Sequence, residues 1–171
     1  PVAFDGTCSG LQHFSAILRD PVGAEAVNLK PSDKPQDIYG RVAQIVNQVL
    51  KYDSEHGTAD EWDEDKNRLK LGTKTLAQLW LNFGVNRKVT KRSVMTLAYG
   101  SKQFGFRDQV LEDTIKPHMD EGIWTEANAP QAAGYMAKLI WNAVRKVVVK
   151  AVEGMEWLQK VARMICKNDN V

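Results

Sequence analysis

The run Arg87-Lys88-Val89-Thr90-Lys91-Arg92-Ser93-Val94-Met95-Thr96-Leu97-Ala98-Tyr99-Gly100 is the most informative part of this chain. From Arg87 to Tyr99 it holds no glycine or proline, and it stops at Tyr99-Gly100-Ser101. That pattern predicts a helix ended by glycine, with Asn86 placed to cap its start. The charges contradict the helix dipole. Arg87, Lys88, Lys91 and Arg92 crowd the first turns, where the amino end already carries partial positive charge. Each cation there is disfavoured by up to ~1 kcal/mol unless an anion is close. Helix amino ends with free N–H groups are natural phosphate sites.

At 100° per residue, Arg87, Lys91, Met95 and Tyr99 drift slowly along one side of the helix, with Lys88 and Arg92 in the same arc. By the helical rise, Arg87 and Lys91 stand ~6 Å apart and Tyr99 lies ~12 Å beyond Lys91. A nucleoside triphosphate has that span, with phosphates on the cations and sugar and base by the ring. A solvated basic face with a buried tyrosine fits the same charge pattern.

Working outward, Leu76, Leu79, Trp80 and Phe83 mark a preceding helix, closed by Gly84 as a left-handed cap. Residues 53–70 are acidic and mixed in charge, apolar only at Trp62 and Leu69, and predict an exposed, mobile insertion. Ile38, Val42, Ile45, Val46 and Val49 form a longer helical stripe. Leu11, Phe14, Ile17 and Leu18 form a shorter one from Ser9, which Asp20-Pro21 closes. Val2-Ala3-Phe4 reads as the end of a buried strand, with Asp5-Gly6 after it. On the carboxyl side, Asn128 and Pro130 open a stretch carrying Met136, Ile140, Ala143, Val147, Ala151, Leu158, Ala162 and Ile165. It reads as one long helix, or two joined near Gly154. The expected fold is mainly α, with one short strand at the start.

Composition narrows the function less. The 171 residues are 43% hydrophobic and 26% charged, enough for one domain without disulfide or metal staples. With 23 basic against 21 acidic residues the net charge is +2, so any nucleic-acid signal must be local. Cys8 and Cys166 match no metal spacing and read as free thiols in a reducing compartment. No run approaches the ~20 apolar residues of a membrane span. The first residue is Pro1, with no initiating methionine and no leader pattern, so the start reads as cut.

Asp5 before Gly6 has two readings. An Asp-Gly pair is most often a turn. A carboxylate with a neighbouring backbone carbonyl also suits Mg²⁺, although two-metal phosphoryl transfer needs a second carboxylate, which nothing in the sequence identifies.

The run Asp5-Gly6-Thr7-Cys8-Ser9-Gly10-Leu11-Gln12-His13-Phe14-Ser15-Ala16 resembles the first polymerase motif of bacteriophage-type single-subunit DNA-dependent RNA polymerases. Arg87, Lys91, Tyr99 and Gly100 fit the second motif, R-x3-K-x7-Y-G, a spacing shared with related DNA polymerases. The first motif here lacks the acidic residue that those DNA enzymes use to crowd the sugar 2′ position. Residues 128–136 and Lys138-Leu139-Ile140-Trp141 also look like the family's fingers. The resemblance covers nearly the whole chain and is weakest across 53–70.

It implies a template-directed nucleotidyltransferase, mainly α, in which residues 1–20 are a palm segment with a short strand and 21–171 the helical fingers of a right-hand polymerase. By motif, Asp5 would bind Mg²⁺ with the Gly6 carbonyl, Arg87 and Lys91 would hold the triphosphate, and Tyr99, next to Gly100, would monitor the ribose. Lys91 and Asp5 would be the catalytic pair, with Tyr39 and Arg92 as secondary nucleotide- or template-side contacts. The implied partners are DNA template, RNA product, ribonucleoside triphosphates and the polymerase's amino-terminal, palm and thumb regions. The implied setting is the cytoplasm of an infected bacterium. Thr7 stands where Ser is more familiar and keeps the hydroxyl, while His13 reads as a packing or polar structural residue. The third motif, with its second catalytic aspartate and a histidine, is expected beyond Val171, and this stretch alone is expected to be inactive. A stand-alone helical module that binds nucleic acid or phosphate without catalysis is the competing expectation.

Overall fold

Helices form wherever apolar side chains recur at steps of three and four, and the computed structural model describes them over residues 6–168. The expected strand at Val2-Ala3-Phe4, and Asp5, lie outside the described residues. In chain order the elements are α1 (Ser9–Ile17), α2 (Pro21–Ala26), α3 (Ile38–His56), β1 (Glu61–Asp63), β2 (Arg68–Lys70), α4 (Thr73–Phe83), α5 (Arg87–Leu97), α6 (Gln103–Val110), α7 (Ala129–Val147) and α8 (Val149–Asn168). A π turn at Leu111–Ile115 and a 3₁₀ turn at Lys116–Glu121 continue α6.

The core is built around α7, which packs against α3, α4, α5, α6 and α8. Ala132, Ala133, Ala137 and Ala143 are buried on it and let neighbours approach closely, while Met136, Ile140 and Val144 fill the gaps between them. Trp80 of α4 is fully buried, and its indole N–H donates to the Ala132 carbonyl at 3.0 Å. Its ring meets Trp124 at 4.7 Å and Phe83 at 5.7 Å between centroids. From α3, Ile38, Val42, Val46 and Leu50 enter the same core. At roughly 1.5–3 kcal/mol for each such side chain, that stripe contributes about 6–12 kcal/mol before the entropy of ordering it.

Four local readings are corrected. Asp20-Pro21 does not simply close α1. It starts α2, with the Asp20 carboxylate accepting the Val22 N–H at 3.1 Å and Pro21 in the first turn, where its missing N–H is harmless. The two strands fall at 61–70, where the sequence pattern holds no strand signal. Trp62 faces Leu69 and Glu61 faces Lys70 across an antiparallel pair, and its base is clasped by Thr58, Asp60, Gly72 and Thr73. Gly84 has φ 86° and ψ 104°, a positive φ that suits glycine but not the left-handed helical cap. The carboxyl-terminal helix breaks at Val148 (φ −124°, ψ 56°), not at Gly154. Gly154 stays helical, and a Cβ there would come within 2.8 Å of Leu18 Cδ1, so its small size serves the approach of α1 to α8.

Candidate nucleotide-recognition site

The site starts at the amino end of α5. Asn86 caps the helix as its sequence position predicts, accepting the Lys88 N–H at 2.8 Å. Val89, Thr90, Ser93, Val94 and Leu97 are buried against the core, which leaves Arg87, Lys88, Lys91, Arg92 and Met95 on the outside. Two of the four cations meet carboxylates of the protein itself. Arg87 Nε donates to Asp37 Oδ2 at 2.9 Å, with Nη2 3.5 Å from Oδ1. Arg92 Nη1 donates to Asp113 Oδ1 at 2.5 Å. Asp37 stands directly before α3 and Asp113 lies in the π turn after α6, so the two arginines are engaged by different elements. The dipole conflict in the sequence is thus partly relieved by anions from other elements. Among the described residues, neither the Lys88 nor the Lys91 side chain has an ion-pair or hydrogen-bond partner.

Tyr39 reaches this face only through Arg87. It is 7% exposed, and the Arg87 guanidinium carbon stands 5.4 Å from its ring centroid. Its backbone carbonyl accepts the Thr90 hydroxyl at 2.9 Å. Burial, together with the adjacent Cys8, raises the Tyr39 hydroxyl well above the usual phenol range, so it stays protonated. Burial likewise raises the Cys8 thiol.

The first motif is fastened to the same corner. Thr7 Oγ1 accepts from Asn28 Nδ2 at 3.1 Å, and Asn28 also bonds the Gln36 carbonyl at 2.9 Å and the Gln36 N–H at 2.6 Å. Asn28 holds φ at 60°, a left-handed conformation that Asn tolerates better than most residues. Gln12 donates to the Val27 carbonyl at 2.9 Å. The Gly6 carbonyl accepts the Cys8 N–H at 3.0 Å. At the far end of α5, Gly10 touches the chain so closely that a Cβ would sit 2.5 Å from Ala98 Cβ and 3.9 Å from Tyr99 Cε1. Tyr99 itself is not helical. The helix ends at Leu97, and Tyr99 lies in the following turn, 74% exposed, before Gly100 at φ 91°.

Beside Tyr99 an open apolar groove of about 430 Å³ runs between α1 and α8, lined by Phe14, Ile17, Ala98, Trp157 and Leu158. His13 is exposed at its edge. Among the described residues no group of three His, Cys, Asp or Glu side chains could hold a metal ion. Asp5, the residue assigned to Mg²⁺ by the resemblance, lies outside the described residues.

The sequence model of a family described as DNA-dependent RNA polymerase matches residues 1–171, the whole chain. This chain belongs to that family. The DNA-directed RNA polymerase of Enterobacteria phage T3 is 61% identical over 96% of the chain, and the T7 RNA polymerase of Escherichia phage T7 is 58% identical over the same share. The mitochondrial DNA-directed RNA polymerase of Schizosaccharomyces pombe is 37% identical over 96% of the chain. The chain spans 20% of the length of the two phage relatives and 12% of the yeast one.

Within this chain, the structure brings Arg87, Lys91, Arg92, Tyr39 and Tyr99 onto or beside one helix. It also adds two residues that the sequence reading did not single out, Asp37 and Asp113. A signal for Asp37 was present. An aspartate directly before a helical stripe reads as an amino cap, and Asp37 holds that position before Ile38. Its side chain makes no cap hydrogen bond, however, and turns to Arg87 instead. Nothing local foretells Asp113, which sits in the π turn and meets Arg92 only through the packing of α6 on α5.

Proposed function

We propose that this chain supplies the fingers helices, residues 21–171, and a palm segment, residues 1–20, of a DNA-directed RNA polymerase that adds ribonucleotides to RNA on a DNA template. The observation that carries this reading is the exposed cationic end of α5. There Lys91 has no protein partner among the described residues, and Tyr99 stands exposed beyond the other end of the helix, in a chain matched throughout by the polymerase family.

In such a reaction the terminal ribose hydroxyl of the RNA attacks the α-phosphate of the incoming nucleotide, and pyrophosphate leaves. Lys91 and the exposed side of Arg87 hold the β- and γ-phosphates and stabilise charge that builds toward the leaving group. Arg92, paired with Asp113, is a secondary contact on the nucleotide or template side. Tyr99, set in place by the turn at Gly100, offers its ring to the base and its hydroxyl to the ribose. The Mg²⁺ assignment to Asp5 and the Gly6 carbonyl rests on the resemblance alone. The third motif belongs to the remainder of the polymerase, so these residues by themselves would bind but not polymerise. The setting is the inside of a phage-infected bacterium. Among the described residues no helix is long and apolar enough to cross a membrane.

The test is Lys91→Ala and Arg87→Ala in the polymerase that contains this chain, read by single-nucleotide addition. A charge-assisted contact is worth about 1.5–3 kcal/mol, so kcat/KM for each ribonucleotide is expected to fall roughly ten- to hundredfold. Unchanged kinetics in both variants would leave α5 as a solvated basic face.

A further inference from the structure

The cap position of α3 carries an unexplained choice. Asp37 is the residue type and place for an amino cap, yet its carboxylate accepts no N–H from the first turn of α3. It faces Arg87 across the gap between α3 and α5, and the space it uses is kept open by Gly40, where a Cβ would lie 2.8 Å from Asp37 Oδ2. The partner is held from other sides too. The Tyr39 ring lies 5.4 Å from the guanidinium carbon, and Thr90, one turn along α5, bonds the Tyr39 carbonyl at 2.9 Å.

The way Asp37 grips Arg87 matters chemically. A guanidinium has five N–H donors, and Asp37 engages the edge formed by Nε and Nη2, at 2.9 and 3.5 Å. Nη1, on the other edge, makes no hydrogen bond to Asp37. Arg87 remains 54% exposed on its side chain. A planar fork fixed along one edge presents the other in a defined direction, which a freely rotating arginine does not.

Resting on the phosphate-clamp reading of α5, we propose that Asp37 is a positioning residue: it orients Arg87 so that the free edge of the guanidinium meets the triphosphate of the incoming nucleotide. Asp37 touches no substrate and acts only through Arg87. Its negative charge opposes the triphosphate at long range. Orientation and repulsion therefore predict opposite signs. Losing orientation weakens nucleotide binding, whereas relief of repulsion strengthens it.

The experiment uses Asp37→Asn and Asp37→Ala in the polymerase that contains this chain, with ATP and the other three ribonucleoside triphosphates, in single-nucleotide addition on a primed template. Because Asp37 makes no cap bond, neither variant removes a helix cap, and thermal unfolding checks that both stay folded. The expected result is a KM raised by about three- to tenfold with kcat changed less, larger for Ala than for Asn. In an Arg87→Ala background the effect of Asp37→Ala should vanish. Asp37→Glu, which keeps the charge but moves it outward, should recover only part of the loss. A KM that falls in Asp37→Asn, or one that rises equally with and without Arg87, overturns the proposal. If Arg87→Ala and Lys91→Ala leave KM unchanged, the clamp reading itself fails. If those two raise KM while folded Asp37 variants do not, only the role of Asp37 fails.

Discussion

Gly10→Ala should damage both stability and nucleotide addition, because Gly10 is where the first motif meets the far end of α5. The added Cβ would lie 2.5 Å from Ala98 Cβ, against an optimum of ~3.5–4.0 Å between carbons, so the overlap is ~1–1.5 Å. Both atoms are attached rigidly to backbone. No rotamer change relieves the clash, and α1 must move away from the turn that holds Tyr99. Overpacking of this kind lowers stability by about 1–3 kcal/mol. A displacement near 1 Å at a positioned group can also slow chemistry by up to roughly a hundredfold. The assay pairs denaturant unfolding with single-nucleotide addition by the polymerase containing this chain. The expected outcome is a loss of kcat/KM beyond what the unfolded fraction explains. Ala98→Gly in the same molecule removes the opposing methyl and should restore most of the loss, less about 0.5–1 kcal/mol for glycine at a helical C-cap position. Wild-type stability and rate in Gly10→Ala, or a double variant no better than the single, would refute the close packing of α1 on the Tyr99 turn.

Tyr99→Phe keeps the exposed ring and removes the hydroxyl, so discrimination between a ribonucleotide and its deoxy counterpart should relax by roughly ten- to hundredfold in the ratio of kcat/KM. An unchanged ratio in an active variant would assign sugar selection elsewhere. Trp80→Phe deletes the bond to the Ala132 carbonyl and leaves a gap beside Trp124, so urea unfolding should show a loss of about 1–3 kcal/mol with m unchanged. A loss below a few tenths of a kcal/mol would mean that α4 and α7 repack without that contact.

Several elements could be read from the chain because their causes are local. The stripe Ile38, Val42, Val46 marks α3, Leu76 and Trp80 mark α4, and Asn86 marks the start of α5, since periodic burial and capping act within a turn or two of sequence. The hairpin at 61–70 escaped because its strands are three residues each and exposed, too short for alternation to register. The π and 3₁₀ turns after α6 have no periodic signature, although they carry the Asp113 that meets Arg92. The break at Val148 was misplaced to Gly154 because glycine is a breaker in isolation, while here it makes room for Leu18.

The sequence by itself determined the family, the mainly helical class, the order of the two polymerase motifs, and the run of cations at the start of α5, since each follows from residue type and spacing along one segment. Only the tertiary structure decided which of those cations are engaged. Arg87 finds Asp37 fifty positions away and Arg92 finds Asp113, while Lys91 is left open among the described residues. An ion pair depends on the distance between side chains brought together by packing, and the packing of α3 and α6 on α5 is a property of the assembled core, not of any stretch of chain that contributes to it.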